Sequence, residues 1–209
     1  MITRRQFVAS AAAISAAGPL LAQTQPAAPA LTRDAWIAEV EATLPGKTDG
    51  NFSIPEKYWA TVVKVDPALP VGEIHIIPQT TYLYFTIAEG YAIRYGCAIG
   101  QEGLAYFGTA VIGRKVEWPS WTPTPEMIVR NPAAYEKYAD GMPGGPENPL
   151  GARAMYFYEN GRDTAIRIHG TINPRSIGSA SSNGCFRMYN SHVINLYDRV
   201  PQGTVVHAY

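Results

Sequence analysis

Apolar and polar positions divide this chain into stretches of different period. Between Thr32 and Leu44, the residues Trp36, Ile37, Val40 and Leu44 recur on one helical face; Thr32 or Asp34 can cap that helix and Pro45-Gly46 ends it. Residues 51–59 show no clear period. From there the pattern turns to β. Residues 60–65, 73–77, 80–87 and 91–99 are short runs rich in β-branched and aromatic side chains, with Glu89-Gly90 as a hairpin turn, and 105–112 continues the sheet. Residues 154–158 and 165–168 predict two more strands joined across Asn160-Gly161. Near the end, Asn190 or Ser191 can cap a helix with Val193, Leu196, Tyr197 and Val200 on one side; Pro201 and Gly203 stop it, and 204–208 predicts a last strand. No internal repeat is visible.

The segment 114–151 breaks this rhythm. It carries seven prolines, four glycines, Trp118 and Trp121, a composition that excludes a central strand. Two expectations stand side by side: an ordered functional loop or lid, or a plain surface excursion packed by its tryptophans.

The first residues read differently again. Arg4 and Arg5 precede a mild apolar run from Phe7 to Leu21, the charged-then-apolar order of an export signal, and the flanking residues resemble a twin-arginine signal. An amphipathic first helix is the alternative, but Val8 to Leu21 offers only Ser10 and Ser15 as polar positions. Cleavage is expected near Ala22, Ala28 or Ala30, so residues 1–22 form the expected signal and 23–56 a linker and N-terminal segment. The run is shorter than the ~20 apolar residues a membrane-spanning helix needs, so an exported protein without stable membrane insertion is expected.

Composition then narrows the class. Apolar residues make up 46% and charged residues 16%, an ordinary globular balance, and 13 tyrosines, 17 prolines and 19 glycines favour strands and turns. Formal net charge is zero, and −2 once Arg4 and Arg5 are removed, which speaks against a nucleic-acid partner.

The chemistry concentrates between Ile168 and Met188, IHGTINPRSIGSASSNGCFRM. Cys185 follows a glycine and precedes Phe186-Arg187, so accessible N–H groups can stabilise an oxyanion beside a thiol nucleophile. The thiol needs a base, and His169, sixteen residues upstream at a strand end, can supply it, whereas His75, His192 and His207 lack such a context. A lone cysteine is usually a small buried apolar residue and a lone histidine a structural one; it is the intervening pattern that changes the weighing. His169-Gly170-Thr171, Ser176-Ile177-Gly178 and Ser182-Asn183-Gly184-Cys185-Phe186-Arg187-Met188 together resemble the signature of the L,D-transpeptidases with a YkuD-type catalytic domain. The resemblance runs from about Glu73 to Tyr209 and includes Asn148-Pro149-Leu150-Gly151 and Val200-Pro201-Gln202-Gly203-Thr204.

That resemblance implies a mostly β, sandwich-like catalytic domain with a few short helices, here residues 57–209. It implies Cys185 as nucleophile, His169 as base, the Gly170 carbonyl as orienter of the imidazole, and the Gly184 and Cys185 N–H groups as the oxyanion hole. Arg187, Ser182, Thr171 and Asn183 are the candidates for substrate binding, joined by Trp118 and Trp121 if the proline-rich segment covers the site. Many members carry histidine where this chain has Asn183, which leaves the Cys185/His169 pair intact. The implied partners are peptidoglycan stem peptides in the periplasm, with a second stem, a protein amine or water as acceptor, and no metal or cofactor is implied. A hydrolytic wall peptidase using the same cysteine and a non-catalytic wall-binding module are the competing readings. Cys97, in the apolar run Tyr95 to Ile99, is expected to be a buried free thiol.

Overall fold

The computed structural model describes residues 32–209, so the expected export signal and the expected Pro/Ala linker through Leu31 lie outside the described residues. In chain order the elements are α1 (Arg33–Ala42), β1 (Thr48–Asp49), β2 (Phe52–Ser53), β3 (Thr61–Lys64), β4 (Ile74–Ile77), β5 (Tyr82–Ala88), β6 (Tyr91–Gly96), β7 (Ile99–Gly100) and β8 (Gly108–Glu117). They continue with α2 (Pro125–Arg130), α3 (Pro132–Tyr135), β9 (Arg153–Glu159), β10 (Arg162–His169), β11 (Ala180–Ser182), β12 (Phe186–Arg187), α4 (Asn190–Arg199) and β13 (Val205–Ala208).

Nine strands form one sheet in the order β12-β10-β9-β8-β13-β4-β5-β6-β3. The pairs β12/β10 and β13/β4 are parallel and the others antiparallel. The far ends of this order come together. Ala98, just past β6, exchanges backbone bonds of 2.8 and 3.0 Å with Arg187 of β12, and β7 pairs with β11. The sheet therefore folds over on itself, and a single core gathers side chains from both halves, including Ile76, Leu83, Ile93, Ile112, Phe157 and Phe186. Each such fully buried side chain stabilises the fold by about 1.5–3 kcal/mol relative to exposure.

Two helices close the core. α4 contributes Val193, Leu196 and, at its end, Val200. α1 packs Val40 and the following Leu44 against the core, and Thr32 Oγ1 accepts from Ala35 N at 3.3 Å as its cap. The expected local cap of α4 is absent: Tyr189 occupies the N-cap without a side-chain bond. Asp49 of the β1–β2 hairpin supplies it instead, accepting from Asn190 N at 3.1 Å and Ser191 N at 2.8 Å. A carboxylate at that end also suits the helix dipole.

Several strand boundaries differ from expectation: β6 ends at Gly96, β8 begins at Gly108 and β10 begins at Arg162, and two further shifts have a clear local cause. β5 starts at Tyr82 because Pro78–Thr80 form a 3-10 turn that ends with Thr81 at φ 58°. β8 runs on to Glu117, so residues 114–117 of the proline-rich segment lie in the middle of the sheet; the prolines begin only at Pro119. The remainder leaves the sheet as an excursion bearing α2 and α3.

Candidate active site

Register decides which side chains reach the site. In the parallel pair, Ile168 faces Phe186 and His169 faces Arg187. Paired residues share a face and neighbours alternate. Ile168 and Phe186 are buried in the core, and His169 and Arg187 therefore point to the opposite face.

There, His169 Nδ1 lies 2.6 Å from the Gly170 carbonyl oxygen. A carbonyl only accepts, so the proton sits on Nδ1 and Nε2 carries the lone pair. Burial holds the imidazole far below its ordinary value, to about 3, and the nearby Arg187 charge adds to this against the opposing pull of the Gly170 carbonyl. The backbone here is clamped by Asn190, whose Oδ1 accepts from Ala152 N at 2.9 Å and whose Nδ2 donates to the Thr171 carbonyl at 2.8 Å. A Cβ on Gly170 would come within 2.2 Å of that Oδ1, so only glycine admits the clamp.

Cys185 sits in a tight turn between β11 and β12. Ser182 Oγ donates to the Cys185 carbonyl and accepts from Gly184 N at 3.2 Å. The Gly184 N–H, expected as an idle oxyanion donor, is thus engaged by Ser182 in this state. The thiol donates to the Ala165 carbonyl at 3.7 Å. Ala165 has φ 63° within a bulge of β10, fixed by Asp163 Oδ1 accepting from Ala165 N at 2.8 Å and Thr164 Oγ1 accepting from Ile166 N at 3.2 Å. Burial raises the Cys185 pKa, while Arg167 and Arg187 pull it back. Burial thus favours the uncharged form of each group, the thiol and the neutral imidazole.

Cys185, His169, Arg187, Ser182, Asn183 and Thr171 all line one cavity of about 660 Å³. The excursion supplies another wall through Trp121, Met127, Arg130 and Tyr135. Trp121 packs edge-on against the rings of Tyr135 and Tyr138 at 6.2 and 5.7 Å. Asn183 ties this wall to the cysteine turn: its Oδ1 accepts from Arg130 Nη2 at 2.6 Å and its Nδ2 donates to Tyr135 OH at 3.2 Å. Trp118 does not share this place. It is 47% exposed, with φ 44°, and is not among the cavity's lining residues, because its backbone is pinned beside the sheet through Trp118 N donating to the Ala152 carbonyl. Sequence reasoning missed the Ala165 bulge, Arg130 and Tyr135; none belongs to a local motif. Among the described residues, no group of three or more His, Cys, Asp or Glu side chains is placed to hold a metal ion, and no helix is long and apolar enough to cross a membrane.

A thiol and a carbonyl-oriented imidazole thus line one peptide-sized cavity. The model of the YkuD L,D-transpeptidase catalytic domain matches residues 71–207, and the chain belongs to that family. The Escherichia coli K12 protein named probable L,D-transpeptidase YbiS is 35% identical over 163 residues, 68% of this chain and 52% of that protein. The chain spans about half the length of the curated relatives it matches. A crystal structure from Brucella melitensis, named as a probable carnitine operon oxidoreductase caia, is 50% identical, covers 72% of this chain and 93% of that one, and has a TM-score of 0.52. An Enterococcus faecium L,D-transpeptidase mutant, 14% identical over 68% of this chain and 50% of its own, has a TM-score of 0.50 and shares the fold.

Proposed function

We propose that this protein is an exported L,D-transpeptidase that acylates Cys185 with a peptidoglycan stem peptide and passes the acyl group to an amine. The observation that carries the reading is the 2.6 Å bond from His169 Nδ1 to the Gly170 carbonyl, which puts the lone pair on Nε2 of a ring lining the same cavity as Cys185. Nε2 takes the thiol proton as Sγ leaves the Ala165 carbonyl and attacks the carbonyl of the third stem residue. Backbone N–H groups of the cysteine turn, Cys185 first and Gly184 once it releases Ser182 Oγ, hold the oxyanion. The imidazolium returns its proton to the leaving D-alanine amine, the C–N bond breaks and a thioester remains. An amine from a neighbouring stem then attacks, Nε2 accepts its proton, and the sulfur leaves and is reprotonated.

A protein amine in the same place would anchor a protein to the wall, and water would give a carboxypeptidase. The depressed imidazole is neutral across the whole neutral range and so keeps its Nε2 lone pair. The Arg4-Arg5 signal would deliver the folded enzyme to the periplasm. Incubating purified protein with muropeptides and separating the products tests the reading. Crosslinked dimer plus released D-alanine is expected; tripeptide alone would assign the hydrolase, and unchanged substrate would overturn both.

A further inference from the structure

The cavity is strongly cationic. Arg114, Arg130, Arg167 and Arg187 line it against a single acid, Glu126. The four charges are not equally committed. Arg167 forms a two-pronged pair with Asp163, both contacts 3.0 Å, and Arg130 donates to Asn183. Arg187 stands beside the reacting pair. Arg114 has no carboxylate partner among the described residues.

Arg114 is nevertheless held. Across three adjacent strands, Arg167 of β10, Tyr156 of β9 and Arg114 of β8 are register partners in one row. The Tyr156 ring is buried between the two guanidinium groups, 4.3 Å from Arg167 and 4.9 Å from Arg114. Stacking of this kind limits the freedom of an exposed arginine while leaving its N–H edge open for a bidentate acceptor. An arginine so braced, lining a cavity and lacking a counter-charge, is suited to a ligand carboxylate.

Its place in the row bears on which carboxylate it can reach: Arg167 follows closely on Ala165, whose carbonyl accepts from the Cys185 thiol. Neighbouring strands lie ~4.8 Å apart, so Arg114 stands about two spacings, roughly 10 Å, along the row from Arg167. An extended residue advances about 3.3–3.6 Å, and the arginine side chain reaches back part of the way. We propose that Arg114 is a specificity-determining residue that grips the free carboxylate of the donor-stem residue preceding the one bonded to Cys185. In a stem whose second residue is a γ-linked D-glutamate, that group is the glutamate α-carboxylate. The inference rests on the reading of Cys185 as the acylated residue.

The experiment compares two synthetic tetrapeptide donors, identical except that one carries this carboxylate as its amide. Release of D-alanine and the mass of the acyl-enzyme are followed for the wild type, Arg114→Gln and Arg114→Lys. For the carboxylate donor, Arg114→Gln should raise KM by about 10-fold or more with kcat nearly unchanged, the loss expected for a charge-assisted bond made in the ground state. Arg114→Lys should recover part of the loss, and added salt should raise the wild-type KM but not that of the Gln variant. For the amide donor, wild type and Arg114→Gln should agree within about two-fold, since neither can form a charge pair. Equal losses on both donors, or a loss confined to kcat, would overturn the inference and leave the proposed function standing. A wild type that forms no acyl-enzyme with either donor would overturn both.

Discussion

The two cysteines lie in neighbouring stretches of chain, and both follow a glycine. Residue Ala98, next to Cys97, is bridged to Arg187, two places past Cys185. Yet their surroundings are opposite. Cys97 is fully buried in the core; its N–H donates to the Thr81 carbonyl and its carbonyl accepts from Gly178 N. Burial alone pushes its thiol up to about 12. Cys185 is partly exposed on a cavity, hydrogen bonded to the carbonyl of a bulge, with two arginines offsetting part of its burial. Even the glycines differ in purpose: a Cβ on Gly96 would strike the Tyr58 ring at 2.6 Å, whereas Gly184 is needed for a turn at φ 116°. Gly-Cys is thus a neutral dipeptide. The site is made by a strand register, a bulge and a histidine whose own partner is backbone.

The largest expected contrast comes from removing each sulfur. Cys185→Ala should lower D-alanine release by at least about a thousand-fold with little change in melting temperature, as loss of a nucleophile does. Cys97→Ala should do the reverse, keeping activity within about two-fold while a small core cavity costs about 1–2 kcal/mol in denaturant titration. Next, His169→Gln should slow acylation by about 10²–10⁴-fold, the usual share of a general base, without altering Cys97.

Titration should separate the cysteines further. With His169 held near pH 3, the acid limb of activity should lie well below the ordinary histidine range. Alkylation of Cys185 should keep rising into the alkaline range, because its thiol is raised, instead of levelling off in mild acid as an ion pair would. Cys97 should stay unmodified in the folded protein. Stability carries the same signature. His169 and His192, at about 3 and about 4, bind their protons in the unfolded chain first, from about pH 6.5 downward. Their contribution is therefore complete above pH 6.5 and is lost as the pH falls toward their folded values; melting curves at pH 7 and 4.5 measure it.

The smallest expected effect concerns the wall over Cys185. Asn183→Ala releases Arg130 and Tyr135, and Trp121→Ala removes the ring packed between two tyrosines. Each should raise amide exchange in residues 125–138 and shift product a few-fold from crosslinked dimer toward hydrolysed tripeptide, because water reaches the thioester more easily. Trp118→Ala, outside the cavity, should leave the ratio unchanged.

Much of this was legible in the sequence because it is local. The β-branched and aromatic runs within 82–88, 91–96 and 153–159 mark strands, and the His-Gly-Thr and Asn-Gly-Cys-Phe-Arg blocks mark the proposed reacting pair. What stayed hidden depends on chain segments far apart. Asp49 caps a helix 141 residues later, and no local signal announces it. The Ala165 bulge interrupts the expected strand with φ 63°, an alanine where turn chemistry would favour glycine. Prolines at 119 and beyond masked the fact that 114–117 continues a central strand, and with it the placement of Arg114 beside Tyr156. Asn183, a departure from the family pattern, became intelligible only once α2 and α3 were seen to reach it.

The central claim is that Cys185, and not Cys97, carries the acyl group. Incubating the protein with a stem tetrapeptide, quenching in acid and mapping the digested protein by mass spectrometry measures it directly. The account predicts one tripeptidyl thioester on the fragment containing Cys185, lost on adding an amine acceptor and absent in Cys185→Ala. A persistent adduct on Cys97, or turnover with no adduct on Cys185 under any quench, would contradict it.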